Sequence, residues 1–174
     1  MTQIQTISGL WFDFKNPQVD QISLHDIAWS ESMSVRYGGH LYKQYNIADH
    51  SLNVCELLAS WGCTVLEQSH GLMHDAPEAY TGDIVTPLKQ LLSEMSSIED
   101  RIYNVICEAF SLPLLDNYDI IHKADKYMYE VERFSGFVRN VDGIVDHGIR
   151  VTPRSQMDSY TQFMQKFFDL HAKL

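Results

Sequence analysis

The sequence predicts a single all-α domain with a short extended segment near its start, and three observations lead to this fold class. Apolar side chains recur at helical spacing through most of the chain. Candidate capping residues and glycines bound these stretches. Period-two alternation of apolar and polar residues is limited to positions 9–16. A chain of 174 residues without repeats or linkers fits one domain, so we assign residues 1–174 to it.

In the first half of the chain, the predicted elements begin and end at recognisable residues. The extended segment, a strand or hairpin, ends at Pro17. Ser23 can cap the first helix, and residues 36–40 with their two glycines break the chain after it. Asn46 can cap the next helix, and Gly62 ends it. These elements are the extended segment at 9–16 and helices at 23–34, 46–61 and 64–74.

The second half begins with a short turn or helix at the Thr86-Pro87 step. Ser97 can open a helix that Pro113 closes beyond its end. Three glycines indicate an irregular loop after the following long helix. The predicted helices cover 97–110, 116 or 117 to 134, and 155–170, and the loop covers 135–153.

Charge and composition exclude several classes of function. The net charge of −10 argues against wrapping a nucleic-acid duplex or lying on an anionic membrane. No apolar run approaches the ~18 residues of a membrane span. Three cysteines without a C-x-x-C spacing predict neither a disulfide framework nor a zinc knuckle. We therefore expect a cytoplasmic protein, in the host cytoplasm if a phage encodes it.

Four residues of metal-ligand type, His50, His74, Asp75 and Asp125, lie in stretches predicted to be helical. The adjacent pair His74-Asp75 is unusual in an apolar run, because charged residues are seldom buried unless paired or bound to a metal. Ligands on three helices can converge on one ion in a bundle. Two imidazoles and two carboxylates suit a divalent cation that keeps positions open for water and substrate. The alternative is an accidental pair on a helix surface.

Glu78 is the candidate for acid–base chemistry. It follows His74 by four residues and Asp75 by three, so a helix would place it on their face. The four ligands already suffice for a metal, which leaves Glu78 to transfer protons to and from water.

Two stretches, YNIADHSL at 45–52 and HDAPEAYTGDIVTPLK at 74–89, resemble the motif blocks of the HD-domain metal-dependent phosphohydrolases. The resemblance is to the group of bacterial 5′-deoxynucleotidases, which includes short phage deoxynucleoside triphosphate triphosphohydrolases, and it spans about residues 9–132. It implies an HD-type helical bundle, one divalent ion (Zn, Co, Mn or Mg) and a nucleotide as the small-molecule substrate. We also expect a homo-oligomer.

The resemblance also implies site residues. The implied metal ligands are His50, His74, Asp75 and Asp125, and the implied catalytic residues are Glu78 as acid/base and Asp83 as a contact to sugar or water. Arg36 matches a phosphate-binding arginine. Tyr37 stands where the deoxynucleotidases carry tryptophan, and it could wall the base. Lys89 could hold a phosphate as a point charge, and Lys123, next to Asp125, is a further candidate for substrate binding, although either lysine could simply be solvated.

Three functions remain open at this point. The leading prediction is a triphosphohydrolase of the dATP type that releases triphosphate, because the chain resembles the short phage enzymes and has candidate cations at Arg36, Lys89 and Lys123 or Lys126. The second is a 5′-deoxynucleotidase that releases phosphate from monophosphates. The third is a catalytically silent nucleotide-binding regulator. The stretch between His74 and His122 contains no further histidine, which argues against HD proteins with two metals. Ala79 after Glu78 distinguishes the chain from the alarmone hydrolases, whose motif places an aspartate there.

Overall fold

Helices make up most of the computed structural model, which describes residues 2–139 and 143–174. The strands are β1 (Gln3–Gln5) and β2 (Trp11–Asp13). The helices are α1 (Leu24–Met33), α2 (Ile47–Ser60), α3 (Val65–Met73), α4 (Glu78–Thr81), α5 (Thr86–Lys89), α6 (Met95–Ala109), α7 (Asp119–Phe134) and α8 (Gln156–His171). Short 3₁₀ turns cover Val19–Gln21 and Tyr37–Gly39. The predicted all-α class is confirmed.

The extended segment at the start is one strand of an antiparallel hairpin. Strand β2 lies inside the predicted segment 9–16, and it pairs with β1 in the register Gln3 to Asp13. Strand β1 was not predicted, because three residues are too few to establish a period-two pattern. The hairpin is anchored by Phe12, which is fully buried.

Three helices begin at capping side chains. The Asn46 side chain accepts a hydrogen bond from the backbone N–H of Asp49, and the Ser155 hydroxyl accepts one from Asp158. Thr64 and Glu67 form a reciprocal capping box at the start of α3. Helices α6 and α7 begin two to three residues from their predicted starts at 97 and 116–117.

Helix α2 is the central element of the fold. Eleven of its 14 residues are buried, because α1, α3, α7 and α8 all pack against it. Its apolar side chains contribute to two hydrophobic clusters, one shared with α1, α3, α6 and α8 and the other with α7. Any polar side chain on α2 that faces these neighbours must therefore find its partners inside the protein.

The predicted helix at 64–74 ends earlier than expected, and this changes the setting of His74 and Asp75. Helix α3 stops at Met73, residues 74–77 form a turn, and α4 begins only at Glu78. Pro77 has no backbone N–H to donate to the preceding turn, so it does not continue a regular helix. His74 and Asp75 therefore do not share one continuous helix with Glu78, but all three line the same cavity.

The predicted loop at 135–153 is confirmed where it is described: residues 135–139 and 143–153 contain no helix or strand, and 140–142 lie outside the described residues. In the described ranges, none of the helices is both long and apolar enough to cross a membrane.

Gly71 marks the close approach of α3 to α2. A Cβ atom at this position would overlap with Cδ1 of Leu58 and touch Cγ1 of Val54 at 3.5 Å. The glycine thus allows the two helices to pack with their backbones close together.

The variant Gly71→Ala should lower the free energy of unfolding. Overpacking costs about 1–3 kcal/mol, and the overlap with Leu58 places this site in the upper part of that range. The higher helix propensity of alanine stabilises the folded state by only about 1 kcal/mol. Urea denaturation measures the change. In a Leu58→Val background, which lacks the overlapping carbon, the same substitution should become neutral or stabilising. An equal loss in both backgrounds would contradict the steric explanation.

Candidate metal centre

Three predicted metal ligands from distant parts of the chain converge. His50 lies in the first turn of α2, His74 in the turn after α3 and Asp125 in the middle of α7. One potential ligand atom from each lies within 4.8 Å of the other two. Oδ1 of Asp125 is 3.0 Å from Nε2 of His50 and 3.9 Å from Nε2 of His74. We call these three residues the ligand group.

Asp75 lies beside the ligand group. Its Oδ2 atom is 3.3 Å from Nε2 of His74 and 3.8 Å from Nε2 of His50. The same oxygen is also 3.3 Å from Nη1 of Arg36. Asp75 thus lies beside the two histidines, as predicted, and its carboxylate also contacts Arg36.

The two histidines are oriented for metal binding. Nδ1–H of His74 donates to the backbone carbonyl of Gly71 at 2.8 Å, which leaves the lone pair on Nε2. Nδ1 of His50 lies 2.5 Å from Oε1 of Glu132. Both Nε2 atoms are buried and lack a hydrogen bond of acceptable geometry to any described residue. Inward-facing nitrogens of this kind, with the opposite nitrogen held by an acceptor, are typical of metal-binding histidines.

The charges around the ligand group favour a cation. Burial and the Arg36 charge would lower the pKa of His50, but Glu132 and Asp125 outweigh them and raise it to about 9. Burial opposes ionisation of Asp125 as well, yet His50, His74 and Arg36 hold its pKa below the ordinary value. The ionised carboxylate of Asp125, whose side chain is 42% exposed, thus faces the two histidines, and a bound ion would displace the proton that these charges favour on His50. The ligand group therefore fits a divalent ion with nitrogen and oxygen ligands.

Glu132 is the main residue that sequence reasoning missed. It is fully buried, and its two oxygens contact Nδ1 of His50 at 2.5 Å and the hydroxyl of Tyr37 at 2.7 Å. Nε of Arg36 is 3.4 Å away. Burial would raise the pKa of Glu132, but Arg36 and His50 lower it. One signal was available: Glu132 follows Asp125 by seven residues, so both lie on one face of α7.

Arg36 and Tyr37 are brought to this region but are held by the protein. The Arg36 guanidinium, with 14% of its side chain exposed, lies between the carboxylates of Asp75 and Glu132. The Tyr37 hydroxyl donates to Glu132, and its ring stacks on Tyr129 with the centroids 5.9 Å apart. Binding of phosphate by Arg36 and of a base by Tyr37 stay predictions.

Glu78 lies near the ligand group in an environment that favours its protonated form. It is 8% exposed, and burial together with the Asp75 charge raises its pKa to about 8. Its Oε1 accepts a hydrogen bond from Nζ of Lys89 at 3.0 Å. Its Oε2 is buried and finds no partner among the described atoms. Lys89 also contacts Oε1 of Glu99 at 2.9 Å, so its charge is shared between two carboxylates.

The two remaining predicted residues differ in their placement. Asp83 is half-buried after Gly82, and burial raises its pKa while the nearby Arg36 charge lowers it. Lys123 is turned away from the ligand group. It precedes Asp125 by two residues, which corresponds to about 200° of rotation around a helix. Its Nζ lies over the Trp61 ring at 5.4 Å. The structure therefore does not bring Lys123 to the site, and the prediction that it binds substrate gains no support.

Glu31 is a second buried carboxyl group that the sequence did not suggest. It lies on α1, is fully buried and accepts a hydrogen bond from the hydroxyl of Ser51, the residue after His50. Burial and the Asp75 charge raise its pKa well above the ordinary value. A second buried carboxyl group thus contacts α2 at the residue after His50.

A cavity of about 620 Å³ adjoins the ligand group. This volume is within the roughly 300–1,000 Å³ of small-molecule sites. His74, Asp75, Glu78, Lys89 and Asp125 line one end of it. Residues of α6, of the α6–α7 connection and of the first part of α7 line the remainder.

Comparison with known proteins identifies two relatives. The protein YfdR of Escherichia coli strain K12 is 34% identical over 177 aligned residues, which cover 98% of this chain and 96% of YfdR. A protein of Rhodobacter capsulatus is 32% identical over 112 residues, which cover 62% of this chain and 57% of that protein. Both are named as uncharacterized proteins, so their names state no activity. No family model matches the chain.

The purified protein should bind one divalent ion per chain, and Glu132→Gln should weaken that binding by about 10–100-fold, the usual effect of changing a residue that holds a metal ligand. The amide keeps the shape of the side chain but cannot anchor the imidazole of His50 as a carboxylate does. Elemental analysis gives the stoichiometry, and calorimetry with Zn²⁺ and Mn²⁺ gives the affinities.

Glu130→Gln is the matched control, since Glu130 lies on the same helix but bonds to His147. The affinity of Glu130→Gln for Zn²⁺ and Mn²⁺ should equal that of the unchanged protein. Two tightly bound ions per chain, or equal losses in both variants, would contradict the assignment.

Proposed function

The chain belongs to the same family as YfdR of Escherichia coli, and we propose that it is a metal-dependent phosphohydrolase that acts on deoxynucleotides. The observation that carries the proposal is the ligand group at one end of a cavity that also contains the protonatable carboxyl group of Glu78. The resemblance of residues 45–52 and 74–89 to the HD phosphohydrolases supports the same reaction class.

His50, His74 and Asp125, with Asp75 beside them, would hold the ion. A divalent cation in such a site supplies Lewis acidity that activates water and neutralises charge on a phosphoryl oxygen. The protein itself keeps the two Nε2 atoms directed inward through Gly71 and Glu132. It thereby fixes the ligand positions before any substrate arrives.

Glu78 is the proposed acid–base group. Its pKa of about 8 means that both protonation states are populated near neutral pH. The unpartnered Oε2 can take the proton of the attacking water as the new O–P bond forms. It then returns that proton to the ester oxygen as the old P–O bond breaks, so that the carboxylate is regenerated. Lys89 holds the other oxygen and thus orients the group.

The charge of the cavity favours a monophosphate over a triphosphate. Its lining contains five acidic side chains, those of Asp75, Glu78, Glu99, Asp100 and Asp125, of which Glu78 is the one whose charged form is disfavoured. Among the described lining residues, Lys89 is the one lysine or arginine, and it already contacts two carboxylates. A chain of three phosphates would meet a repulsive field beyond the ligand group, because like charges in a cleft of low dielectric repel strongly. Hydrolysis of triphosphates stays the competing prediction.

The buried Glu78 also favours an enzyme over a silent regulator. A buried carboxyl oxygen without a partner costs roughly 1–3 kcal/mol. A protein that only binds a nucleotide gains nothing from such a group, whereas an acid–base catalyst needs it.

A panel of deoxynucleoside mono- and triphosphates tests the reaction. Loaded with Mn²⁺ or Co²⁺, the protein should release inorganic phosphate from the monophosphates, with a kcat/KM at least about tenfold above that for triphosphates, since a tenfold ratio corresponds to only ~1.4 kcal/mol. Phosphorus NMR identifies the product. Inorganic triphosphate as the main product would favour the competing prediction. No hydrolysis of any member, by a preparation with full metal content, would contradict the proposed function.

Glu78→Gln should reduce turnover by about 10²–10⁴-fold, the usual contribution of general acid–base catalysis, while metal content stays unchanged. His74→Ala, in contrast, should lose both metal and activity. Steady-state kinetics and elemental analysis of the same preparations separate the two effects. Glu108→Gln, an exposed glutamate on α6, is the control and should match the unchanged protein. Full activity in Glu78→Gln would remove Glu78 from the reaction.

A further inference from the structure

Five apolar or aromatic side chains line part of the cavity, Tyr103, Leu114, Leu115, Tyr118 and Ile121, together with the polar Asn104. We call this part of the lining the apolar end. Ile121 and Tyr118 precede Asp125 by four and seven residues, so their backbones lie about 6 and 10 Å from it along α7. These spacings also place them on the helix face that carries Asp125. A ligand that reaches from Asp125 to Tyr118 would therefore follow one side of α7.

A buried histidine, which the proposed reaction does not use, organises the apolar end. Nε2–H of His70 donates to the carbonyl of Pro113 at 2.9 Å, so Nδ1 accepts from the hydroxyl of Tyr103 at 2.6 Å. The His70 ring packs edge-on against Tyr118 at 5.2 Å. The Tyr118 hydroxyl accepts from the N–H of Leu115 at 3.3 Å. These contacts hold the α6–α7 connection against both helices, so this side of the cavity is formed without a ligand.

Asn104 is the polar group that could recognise a ligand here. It is exposed on α6, and no hydrogen bond of its side chain is found within the described parts of the chain. Its amide offers a donor and an acceptor side by side, the pattern that pairs with the edge of a nucleobase. Glu99 and Asp100, which also line the cavity, disfavour a second anionic group near this amide.

We infer that the apolar end binds the base of the nucleotide, a flat and uncharged heteroaromatic ring, between Tyr118 and the aliphatic side chains, and that Asn104 pairs with the edge of that ring. The inference rests on the proposed function, because it takes the phosphoryl group to lie at the ligand group. It makes Asn104 a base-binding residue, which touches substrate without taking part in proton transfer.

The variant Asn104→Leu tests the inference, since it keeps the volume of the side chain but removes both hydrogen-bonding atoms. Calorimetry should show that the four common deoxynucleosides, which carry no phosphate, bind the variant about 5- to 100-fold more weakly, the range of one paired base contact. The kcat/KM for deoxynucleoside monophosphates should fall by a similar factor. The kcat/KM for 2-deoxyribose 5-phosphate, which lacks a base, should not change. Asn16→Ala, an exposed asparagine before α1, is the control.

The outcomes separate this inference from the proposed function. Equal nucleoside binding by Asn104→Leu and the unchanged protein, or no measurable nucleoside binding by the unchanged protein, would overturn the inference. An equal fall in the kcat/KM for 2-deoxyribose 5-phosphate would also overturn the inference, since the effect of Asn104→Leu would then not depend on the base. Nucleoside binding that depends on Asn104, without hydrolysis of any nucleotide, would support the base site and overturn the proposed reaction.

Discussion

The contact between Glu132 and His50 joins α7 to α2 at the centre of this protein. A carboxylate that is fully buried needs partners inside the protein, because its desolvation would otherwise cost several kcal/mol. Glu132 finds them in the imidazole of His50, the hydroxyl of Tyr37 and the guanidinium of Arg36. Each partner comes from a part of the chain far from α7. One side chain thus joins α2, the 3₁₀ turn at Tyr37–Gly39 and α7, and it aims Nε2 of His50 at Asp125.

The acidic side chains on and around α2 have different partners. Asp49, in the first turn of α2, accepts hydrogen bonds from the backbone N–H of Arg154 at 2.7 Å and from its guanidinium. That guanidinium also donates to Asn53 at 2.9 Å. A cation of the chain itself therefore satisfies Asp49. Around the next residue, His50, the carboxylates of Asp75 and Asp125 face two imidazoles and the shared charge of Arg36. There His50, His74 and Asp125 could hold a cation from solution.

The parts that could be predicted from sequence were those governed by local chemistry. Asn46, Thr64 and Ser155 mark helix starts because a cap needs only its own first turn. His50 and Asp125 could be chosen because both lie in predicted helices and match ligand positions of the HD phosphohydrolases that the sequence resembles. The pairing of β1 does not follow from local spacing, since it depends on contact with β2.

The contacts of individual charged side chains could be predicted least well from the sequence. Lys89 and Lys123 are equivalent lysines in sequence terms, but one bridges two glutamates beside the cavity and the other covers a tryptophan. Arg36 was expected to bind a phosphate, and its contacts with two carboxylates of the protein could not be predicted from the sequence. Such outcomes depend on which helices become neighbours, and that information is spread over the whole chain.

The order of the three ligands along the chain has a consequence for folding. His50 and His74 lie on the connected pair α2 and α3, whereas Asp125 lies 75 residues after His50 (125 − 50). The entropy lost on closing a loop grows with its length, so the contact of α3 with α2 costs less to close than the contact of α7 with α2. We therefore expect α2 and α3 to pair early, with both imidazoles in place while the carboxylate is still absent. The centre becomes complete only when α7 docks on α2, so that an intact centre is a marker of a finished fold.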